Sequence, residues 1–488
     1  MIDNLLNRIT MYRLMLYYLI VLVAVAVIFC FIGILPYSGW DLIKTSLILV
    51  LASVITNKII SATLKIPTNA ESDYITGFIL TLIITPGAGL KFLIMAAILA
   101  QASKYILAYR GKHIFNPAAI AVVITFFTIQ EGASWWIGSV YMLPLVIIGG
   151  FLIMRKIQRF DLVLSFLGAA LLTLAIVNSG NDLGLILRRI LIDSSLLFFA
   201  SVMIPEPMTS PPTRNLRIIY GALIGFLYSS GFTIGSVALS PEMALVLGNI
   251  FSFIVSPKGR YKMTLKSATP IANQTHHYVF NIMRHLDHKP GQYMDWTVDS
   301  KKSDIRGNRR YFTIASSPTE SEIMVGVKFY DHPSTFKQKL QRLKPGDRIL
   351  GGGVAGDFIL PSDVNQKLVF MAGGIGITPF RSMIKYLLDK NEKRDIVLFY
   401  SNKNETEIAY KNIFDEATVK LGIKVIYVLT DNTGYLNAEM IKQSILDLKK
   451  PIYMISGPRS MVVAFEDLLK SLGVSSSQIQ VDFFPGYV

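Results

Sequence analysis

Apolar and polar positions divide the chain into two unlike parts. From Leu14 to Val255, long apolar runs alternate with short polar loops, and roughly ten of these runs are near the ~20 residues that a helix needs to cross a bilayer. From Ser256 onward, short apolar runs alternate with amphipathic stretches, which is typical of a soluble protein. The pattern predicts a polytopic α-helical membrane domain over residues 1–256 and soluble domains over residues 257–488.

Basic residues are concentrated in every second loop between the predicted helices, for example at residues 8–13 and 155–159. By the positive-inside rule, this alternation predicts a multi-pass protein of a bacterial-type cytoplasmic membrane, with both termini and the soluble part in the cytoplasm. The first apolar run continues to Leu35 without a small-residue cleavage site, which predicts a retained first helix. Arg188 and Arg189 depart from the alternation, and we expect them on an interfacial helix before the eighth span.

The charge balance and the rare residue types exclude several classes of protein. The net charge is +15, but in the membrane part the basic residues lie mostly in short loops, so we exclude nucleic acid as a partner. Cys30 is the only cysteine, which excludes a disulfide within the chain and a cysteine-ligated iron–sulfur cluster. Of the six histidines, only His113 falls in the membrane part, so we expect no haem held there by paired histidines.

Residues 310–318 read Arg-Tyr-Phe-Thr-Ile-Ala-Ser-Ser-Pro, a pattern suited to a flavin-binding β-strand. With a period of two, Arg310, Phe312 and Ile314 share one face. The Arg310 guanidinium can bind a pyrophosphate through two N–H groups, Phe312 can stack on an isoalloxazine ring, and the Thr313 hydroxyl or amide can reach the flavin edge. The alternative is a half-buried barrel strand whose polar residues bind no ligand.

An apolar strand, a glycine turn and an amphipathic helix follow one another at residues 368–388. The turn reads Gly-Gly-Ile-Gly-Ile-Thr-Pro at residues 373–379, and this context presents a helix N-terminus to a phosphate. Ligands bind beyond the carboxyl ends of parallel strands. Further strands of such a sheet are predicted at residues 396–400, 425–429 and 452–455.

With these two motifs, residues 257–488 resemble the ferredoxin–NADP reductase-like flavoproteins. The resemblance implies a flavin-binding antiparallel β-barrel over residues 257–363 and an α/β nucleotide-binding domain over residues 364–488. It implies FAD and either NADH or NADPH as cofactors. Three further motifs carry it: Pro-Gly-Gln-Tyr at 290–293, Gly-x-Phe-x-Leu at 356–360 and Ser-Gly-Pro-x-x-Met at 456–461.

The same resemblance assigns roles to individual residues. Catalytic roles fall on Thr313, on Ser456, which replaces the family's cysteine near the hydride path, and on Phe484. Phe484 follows Asp482 by two positions, as an aromatic residue follows an acidic one in the family, and is expected to cover the flavin ring; a terminal strand is the alternative. FAD-binding roles fall on Arg310, Phe312, Thr313, Ser316 and Thr335, although Thr335 could belong to a plain helix cap. Nucleotide-binding roles fall on Gly373, Gly374, Gly376, Thr378, Pro379, Thr430, Asp431, Gly457, Pro458 and Met461.

Three polar segments interrupt the apolar part of the chain, at residues 69–77, 115–118 and 203–213. Polar residues and prolines in apolar surroundings mark a site or a broken helix, and an ordinary polar loop is the alternative. Ten helices can also form two inverted repeats of five. Together the segments resemble the membrane flavoprotein subunits of the Rnf complex and of the sodium-pumping NADH:quinone reductase. The resemblance implies a second flavin, FMN or riboflavin, near Thr76, Asn116 and Glu206.

These related proteins also carry FMN as a phosphoester on the threonine of a Ser-Gly-Ala-Thr sequence. This chain has Glu-Gly-Ala-Ser-Trp-Trp at residues 131–136, with Ser134 in place of the threonine. Ser134 is therefore a candidate for covalent flavin attachment. The alternative is a pair of interfacial tryptophans that anchor a helix end.

Three functions are compatible with this sequence. In the first, which we favour, NAD(P)H reduces FAD, and electrons pass through a membrane flavin to a quinone or an extracytoplasmic acceptor. In the second, the membrane part is a redox-driven cation transporter that uses Glu71, Asp73 or Glu206. In the third, the reductase is merely anchored to the membrane. All three predict an NAD(P)H-dependent flavin oxidoreductase in contact with membrane lipid, and a partner redox protein is compatible with each.

Overall fold

The computed structural model describes residues 6, 9–64, 70–109, 112–177, 184, 195–235, 237–257, 260–298 and 308–482. The chain forms two compact units, Met1–Gly259 and Arg260–Val488. Along the chain, the boundary between the units lies where the long apolar runs give way to short ones. The predicted boundary at residue 363 lies inside the second unit, so the division into three domains stays a prediction.

The first unit consists mainly of helices. In chain order they are α1 (Met11–Phe31), α2 (Gly39–Leu64), α3 (Ala70–Ile83), α4 (Leu90–Ile106), α5 (Pro117–Ile129), α6 (Leu143–Ile157), α7 (Phe160–Val177), α8 (Leu196–Phe198), α9 (Arg214–Ser229) and α10 (Pro241–Val255). A π-helical turn over Phe199–Met203 follows α8 directly. Two small hairpins pair β1 (Ala108–Tyr109) with β2 (Lys112–His113) and β3 (Thr233–Ile234) with β4 (Val237–Ala238).

Within the described residues, α1, α2 and α7 are long and apolar enough to cross a membrane. Helices α5 and α10 are also apolar but shorter. This composition agrees with a membrane protein. The number of spans, their sidedness and the inverted repeat stay predictions, and the expected interfacial pair Arg188 and Arg189 lies outside the described residues.

The predicted polar interruptions adopt different structures. Most of the first one forms the start of α3, a continuous helix of 14 residues. The third one follows the π-helical turn and stays non-helical from Pro205 to Thr213, where α9 begins. Prolines lack the N–H group that an α-helix requires, which explains the break in a stretch that contains Pro205, Pro207, Pro211 and Pro212.

The second unit begins with a six-stranded antiparallel sheet. Its strands are β5 (Arg260–Ala272), β6 (Thr275–Ile282), β7 (Tyr293–Thr297), β8 (Arg309–Thr313), β9 (Ile323–Lys328) and β10 (Arg348–Ala355), in the order β8-β7-β10-β5-β6-β9. A short helix, α11 (Thr335–Gln341), lies between β9 and β10 in the chain. Ala315 N–H donates to Met324 O at 2.8 Å, which links the ends of the two edge strands and curls the sheet.

Strand β10 was not predicted from the sequence. It ends at Ala355, directly before the Gly-x-Phe-x-Leu motif, and contains three successive glycines. A Cβ added at Gly351 would lie 2.5 Å from Met263 Cε and 3.0 Å from Met294 Cε. The glycine therefore leaves room for two core methionines. A run of glycines has no apolar pattern, so the sequence does not indicate a strand here.

A five-stranded parallel sheet follows. Its strands are β11 (Leu368–Gly373), β12 (Ile396–Asn402), β13 (Lys424–Leu429), β14 (Ile452–Ser456) and β15 (Ile479–Asp482), in the order β13-β12-β11-β14-β15. Its helices are α12 (Thr378–Lys390), α13 (Lys411–Leu421), α14 (Thr430–Thr433), α15 (Ala438–Ser444) and α16 (Arg459–Ser471). Every residue of β11 is buried, as expected for a strand covered on both faces. Strands β11 and β14 pair in parallel from Leu368 and Ile452 to Ala372 and Ser456, so their carboxyl ends are adjacent.

Candidate functional site

Strand β8 presents its predicted flavin-binding face beside helix α11. The ring centroids of Phe312 and Phe336 lie 5.8 Å apart, and Arg310 Cζ lies 5.5 Å from the centroid of the Phe336 ring. Tyr311, between them in sequence, is 47% exposed. Arg310 and Phe312 therefore share one face, as the period of two predicts.

The other predicted FAD-binding residues lie at the ends of these two elements. Thr313 is buried at the end of β8. The Ser316 hydroxyl accepts a hydrogen bond from Met324 N–H at 3.1 Å, so it helps to hold the curled edge of the sheet. Ser334 rather than Thr335 caps α11, because its hydroxyl accepts from a backbone N–H of the first turn at 3.4 Å.

The glycine turn after β11 packs directly on the turn after β14. A Cβ added at Gly376 would lie 2.5 Å from Ser456 O and 2.6 Å from Gly457 Cα. A Cβ at Gly373 or at Gly457 would overlap the Met461 side chain. Only glycine permits these approaches. The structure thus joins these five residues, all predicted from the sequence, into one surface.

Helix α12 begins at this turn. Gly374–Ile377 form a single 3₁₀ turn, and the Thr378 hydroxyl donates to Ile375 O at 3.1 Å. Pro379 occupies the first turn of α12, where its missing N–H group costs no helical hydrogen bond. Gly374 has a φ of +51°, and a Cβ added there would meet no atom within 4 Å. The open side of the turn offers an anion the N-terminus of a 13-residue helix.

The remaining predicted nucleotide-binding residues are more scattered. Pro458 is the N-cap residue of α16, at the same turn as Gly457. Thr430 and Asp431 begin α14 after the edge strand β13, two strands away from β11 in the sheet. Phe484 lies outside the described residues.

Asp482 is a functional candidate that the residue assignments from the sequence did not include. It ends β15, where it pairs in register with Ser456. Its side chain is 8% exposed. Burial raises its pKa to about 7, against the opposing effect of a hydrogen bond with Ser456. A carboxyl group that titrates near neutral pH can hold or release a proton beside Ser456.

In the first unit, Asn116 and Glu206 come together. Asn116 Nδ2 donates to Glu206 Oε2 at 3.0 Å, and Asn116 N–H donates to Asn249 Oδ1 at 2.8 Å. Glu206 Oε1 lies 3.0 Å from His113 Nε2, and the Thr209 hydroxyl donates to Glu206 Oε2 at 3.2 Å. The structure thus brings the second and third polar segments of the sequence into one cluster.

Thr76 belongs to a different polar cluster. Its hydroxyl donates to Ser72 O at 2.8 Å, and Ser72 O also accepts from Lys104 Nζ at 3.2 Å. Lys104 Nζ lies 3.7 Å from Asp73 Oδ1, and Asn57 Nδ2 donates to Asp73 Oδ2 at 2.6 Å. The first of these hydrogen bonds joins the Thr76 hydroxyl to a residue of its own helix, α3.

Ser134 lies beyond the C-terminus of α5, whereas Asn116 lies at its N-terminus. Asn116 caps the N-terminus of this 13-residue helix, which is about 20 Å long at ~1.5 Å per residue. The Ser134 hydroxyl donates to Ile83 O at 3.3 Å, and the Trp136 indole N–H donates to Thr81 O at 2.8 Å. Ser134 therefore lies at the opposite end of α5 from Asn116, which contacts Glu206.

Arg381 and Glu320 form a buried ion pair that sequence reasoning missed. Their side chains are 6% and 15% exposed, and Arg381 Nη2 donates to Glu320 Oε1 at 2.8 Å. The two residues are 61 positions apart in the chain. No local pattern indicates such a pair, because it depends on how the two sheets of this unit pack.

Comparison with known proteins identifies two regions of the chain. Residues 129–257 match a family model described as the NQR2, RnfD, RnfE family. Residues 370–467 match a model described as the oxidoreductase NAD-binding domain. The first match includes Ser134 and Glu206, and the second includes the glycine turn and Ser456.

Relatives match a smaller share of the chain. One component of the Na(+)-translocating NADH-quinone reductase of Actinobacillus pleuropneumoniae is 28% identical over 200 residues, which cover 36% of this chain and 49% of that protein. A flavohemoprotein of Candida albicans is 28% identical over 213 residues, 40% of this chain and 51% of that protein. Flavohemoprotein A of Dictyostelium discoideum is 25% identical over 206 residues, 40% of this chain and 52% of that protein. The chain spans about half the length of these curated relatives.

Solved reductase structures are also similar to the chain. The cytochrome P450 reductase GcoB of Amycolatopsis has a TM-score of 0.42 at 21% identity, and the match covers 46% of this chain and 69% of that one. The ferredoxin-NADP+ reductase of Plasmodium falciparum with 2'P-AMP has a TM-score of 0.40 at 22% identity, covering 46% and 96%.

Proposed function

We propose that this chain, which joins a region of the NQR2, RnfD, RnfE family to an oxidoreductase NAD-binding domain, is a membrane-bound NAD(P)H-dependent flavoprotein oxidoreductase. In this function a hydride passes from cytoplasmic NAD(P)H to FAD in the second unit. Electrons then pass to FMN or riboflavin in the first unit, and on to a quinone or an extracytoplasmic acceptor. The observation that carries the proposal is the close packing of Gly373, Gly376, Ser456 and Gly457, with Asp482 beside them.

Strand β8 fits FAD by the placement of its side chains. Bound FAD supplies the chemistry, since it accepts a hydride and can release electrons singly. Arg310 would bind the pyrophosphate through two N–H groups, which its planar guanidinium favours. Phe312 lies on the same face and would pack against the flavin. Thr313, buried at the strand end, would hydrogen-bond the flavin edge.

The glycine turn and its neighbours would bind the nucleotide. The backbone N–H groups at the start of α12 would bind the pyrophosphate, and the absence of a Cβ at Gly374 lets a phosphate approach. Ser456 would border the nicotinamide. Asp482 would hold or release a proton beside the Ser456 hydroxyl near neutral pH. In the catalytic set we propose Thr313 and Ser456 together with Phe484.

The cluster of Asn116 and Glu206 is where we place the second flavin. It offers amide donors and a carboxylate acceptor in an apolar helical unit, where polar groups are costly unless they serve a site. A phosphoester at Ser134 is the alternative position, about 20 Å away along α5. Occupation of both positions would place two flavins in series through the membrane unit.

A redox-driven cation transporter is the second candidate, and the buried cluster around Asp73 favours it. Asp73 is 4% exposed and contacts both Lys104 and Asn57. A buried ionisable pair within a helical membrane unit is typical of ion pathways. NADH-dependent uptake of sodium or protons into proteoliposomes, lost in Asp73→Asn, would establish this function. Normal NADH oxidation without uptake would leave electron transfer alone.

Flavin counting on the full-length protein in detergent tests the favoured function. The protein is precipitated with acid, FAD and FMN or riboflavin are measured in the supernatant, and the pellet is examined for flavin fluorescence. We expect FAD and a second flavin in the wild type. Asn116→Leu and Glu206→Gln should each lower the amount of the second flavin that is bound per chain. Thr128→Ala on the outer end of α5 is the control, because its hydroxyl bonds only within its own helix. FAD alone, fully released, would support the anchored reductase instead.

A further inference from the structure

The two sheets of the second unit are joined by a buried arginine on helix α12. Arg381 Nη2 donates to Glu320 Oε1 at 2.8 Å, and its Nη1 contacts Glu320 Oε2. Nη1 also donates to Ala315 O at 3.0 Å. The planar guanidinium thus makes a two-point contact with a carboxylate and a third contact with the backbone, which fixes both distance and orientation.

Glu320 passes this constraint to the segment that follows the flavin-binding strand. Its Oε2 accepts a hydrogen bond from Ser317 N–H at 2.7 Å. The neighbouring residue Ser382 donates its hydroxyl proton to Ser316 O at 2.7 Å. Residues 315–317 are therefore hydrogen-bonded to two residues of α12 and to Glu320. They lie directly after the strand that carries Phe312 and Thr313.

The same helix carries the glycine turn at its N-terminus. Arg381 lies in the first turn of α12, which begins at Thr378. A Cβ added at Gly326 of β9 would lie 3.0 Å from both Ile375 Cδ1 and Thr378 Cγ2. An α-helix is stiff over one turn, so the position of Arg381 and the position of the glycine turn are coupled.

The Tyr410 ring packs against the guanidinium group of Arg381. Arg381 Cζ lies 5.7 Å from the centroid of the Tyr410 ring, and the Tyr410 hydroxyl lies 3.0 Å from His277 Nδ1 on β6. Burial lowers the pKa of His277 to about 4, with a further lowering by the charge of Arg381. The imidazole is therefore neutral at physiological pH and places no second positive charge beside the guanidinium.

A buried ion pair contributes little net stability compared with packed apolar side chains, because both charges lose their hydration. What this pair supplies is geometry. Hydride transfer requires donor and acceptor atoms about 3–3.5 Å apart, and a misplacement of ~1 Å can lower the rate ~100-fold.

We propose that Arg381, acting through Glu320, is a positioning residue that sets the separation between the flavin held by β8 and the nicotinamide bound at the glycine turn. This role rests on the proposed hydride transfer from NAD(P)H to FAD. It belongs to the reductase half-reaction, and it is independent of where the electrons go afterwards.

The test is the rate of FAD reduction in the full-length protein, measured by stopped flow at saturating NADH or NADPH. The variants are Arg381→Lys, which keeps the charge but loses the two-point contact, and Glu320→Gln, which keeps the shape but loses the charge. We expect each to lower the reduction rate about 10- to 100-fold. We also expect weaker long-wavelength charge-transfer absorbance between flavin and nicotinamide. FAD content and the KM for the nucleotide should stay close to those of the wild type.

Lys420→Gln is the matched control. Lys420 lies on α13 and pairs with Glu416 four residues earlier, and this ion pair is far more exposed than that of Arg381. It should leave both the rate and the charge-transfer absorbance unchanged. If Arg381→Lys yields no folded protein, Glu320→Gln alone provides the test.

Two results would overturn the positioning role. One is reduction at the wild-type rate in both variants. The other is a loss of FAD in which the protein that retains FAD is reduced at the wild-type rate, which would mark the ion pair as structural only. Failure of the proposed function is a separate result, since the wild-type protein with FAD bound would then not be reduced by either nucleotide.

Discussion

Asp482 is a residue whose protonation responds to pH near neutrality. Burial raises its pKa to about 7, from about 3.9 in an unfolded chain. At a pH between these two pKa values, Asp482 has released its proton in the unfolded chain but still binds it in the folded protein. The stability of the wild type therefore decreases as the pH rises from about 4 to 7, and it stays at the lower level above that range.

Asp482→Asn should remove this dependence. The variant is expected to unfold near the wild-type temperature at about pH 4 and at a higher temperature at about pH 8, with a gain of up to about 4 kcal/mol from the shift in pKa. The release of FAD fluorescence on heating the detergent-solubilised protein measures the effect at both pH values. An unchanged slope of stability against pH in the variant would show that this carboxyl group does not titrate as described.

Arg310 should determine how tightly FAD binds. Arg310→Lys keeps the positive charge but cannot make two parallel hydrogen bonds, so we predict a dissociation constant about 10- to 100-fold higher, from ~1.5–3 kcal/mol per charged hydrogen bond. Fluorescence titration of the protein with FAD gives this constant. Arg309→Lys is the control, because Arg309 alternates with Arg310 along β8 and its Nε lies 3.6 Å from Asp295 Oδ1. Equal effects of the two variants would rule out a specific contact of Arg310 with FAD.

At the scale of the elements, the absence of a side chain at Gly376 permits the backbone contact between the glycine turn and the turn after β14. Gly376→Ala would place a methyl group 2.5 Å from Ser456 O, a backbone atom that cannot rotate away. We predict a KM for NAD(P)H at least ~10-fold higher with FAD content unchanged, since ~1–3 kcal/mol of overpacking falls on the nucleotide site. Steady-state reduction of a soluble acceptor measures it.

Gly422→Asn is the matched control for this experiment. Gly422 follows α13, outside the proposed nucleotide site. Asparagine tolerates its φ of +73°, and a Cβ there meets no atom within 4 Å. The variant should fold normally and leave the KM unchanged. An equal rise of the KM in both variants would mean that the packing of Gly376 on Ser456 is not the cause.

Helices α7 and α9 pack closely through Gly221 and Gly225. A Cβ at Gly221 would lie 2.5 Å from Leu162 O, and one at Gly225 would lie 2.9 Å from Ala170 N and overlap Phe166 O. Small residues four positions apart allow helices to approach at the backbone. Gly225→Val should therefore lower the fraction of protein that stays monodisperse on heating in detergent, as judged by size-exclusion chromatography. Gly168→Ala on α7, where a Cβ meets no atom within 4 Å, should not.

The sequence allowed the elements with a strong local pattern to be predicted. The predicted strands at residues 368–372 and 452–455 and the glycine turn between strand and helix are present, because buried parallel strands are continuous apolar runs. Strand β10 was missed because its three successive glycines give no apolar pattern, and one of them, Gly351, leaves room for core methionines. The pair of Arg381 and Glu320 was missed because only the packed structure brings together residues so distant in the chain.

At the scale of the whole molecule, the chain combines two units with different chemistry. The helical unit holds polar clusters around Glu206 and around Asp73, and the second unit carries the residues that fit FAD and the nucleotide. Composition predicted this division, since hydropathy changes abruptly near residue 256. It could not predict that Asn116 and Glu206 would come together while Ser134 lies at the other end of α5, because that depends on how the helices pack.

We propose that electrons from NAD(P)H enter the first unit, the membrane unit, through FAD. Anaerobic titration of the full-length protein with NADH or NADPH, followed by flavin absorbance, tests it most directly. We predict that the protein accepts more reducing equivalents than its FAD content allows, and that Glu206→Gln removes only the excess. If the wild type accepts only as many reducing equivalents as its FAD content allows, the result would contradict electron transfer into the membrane unit.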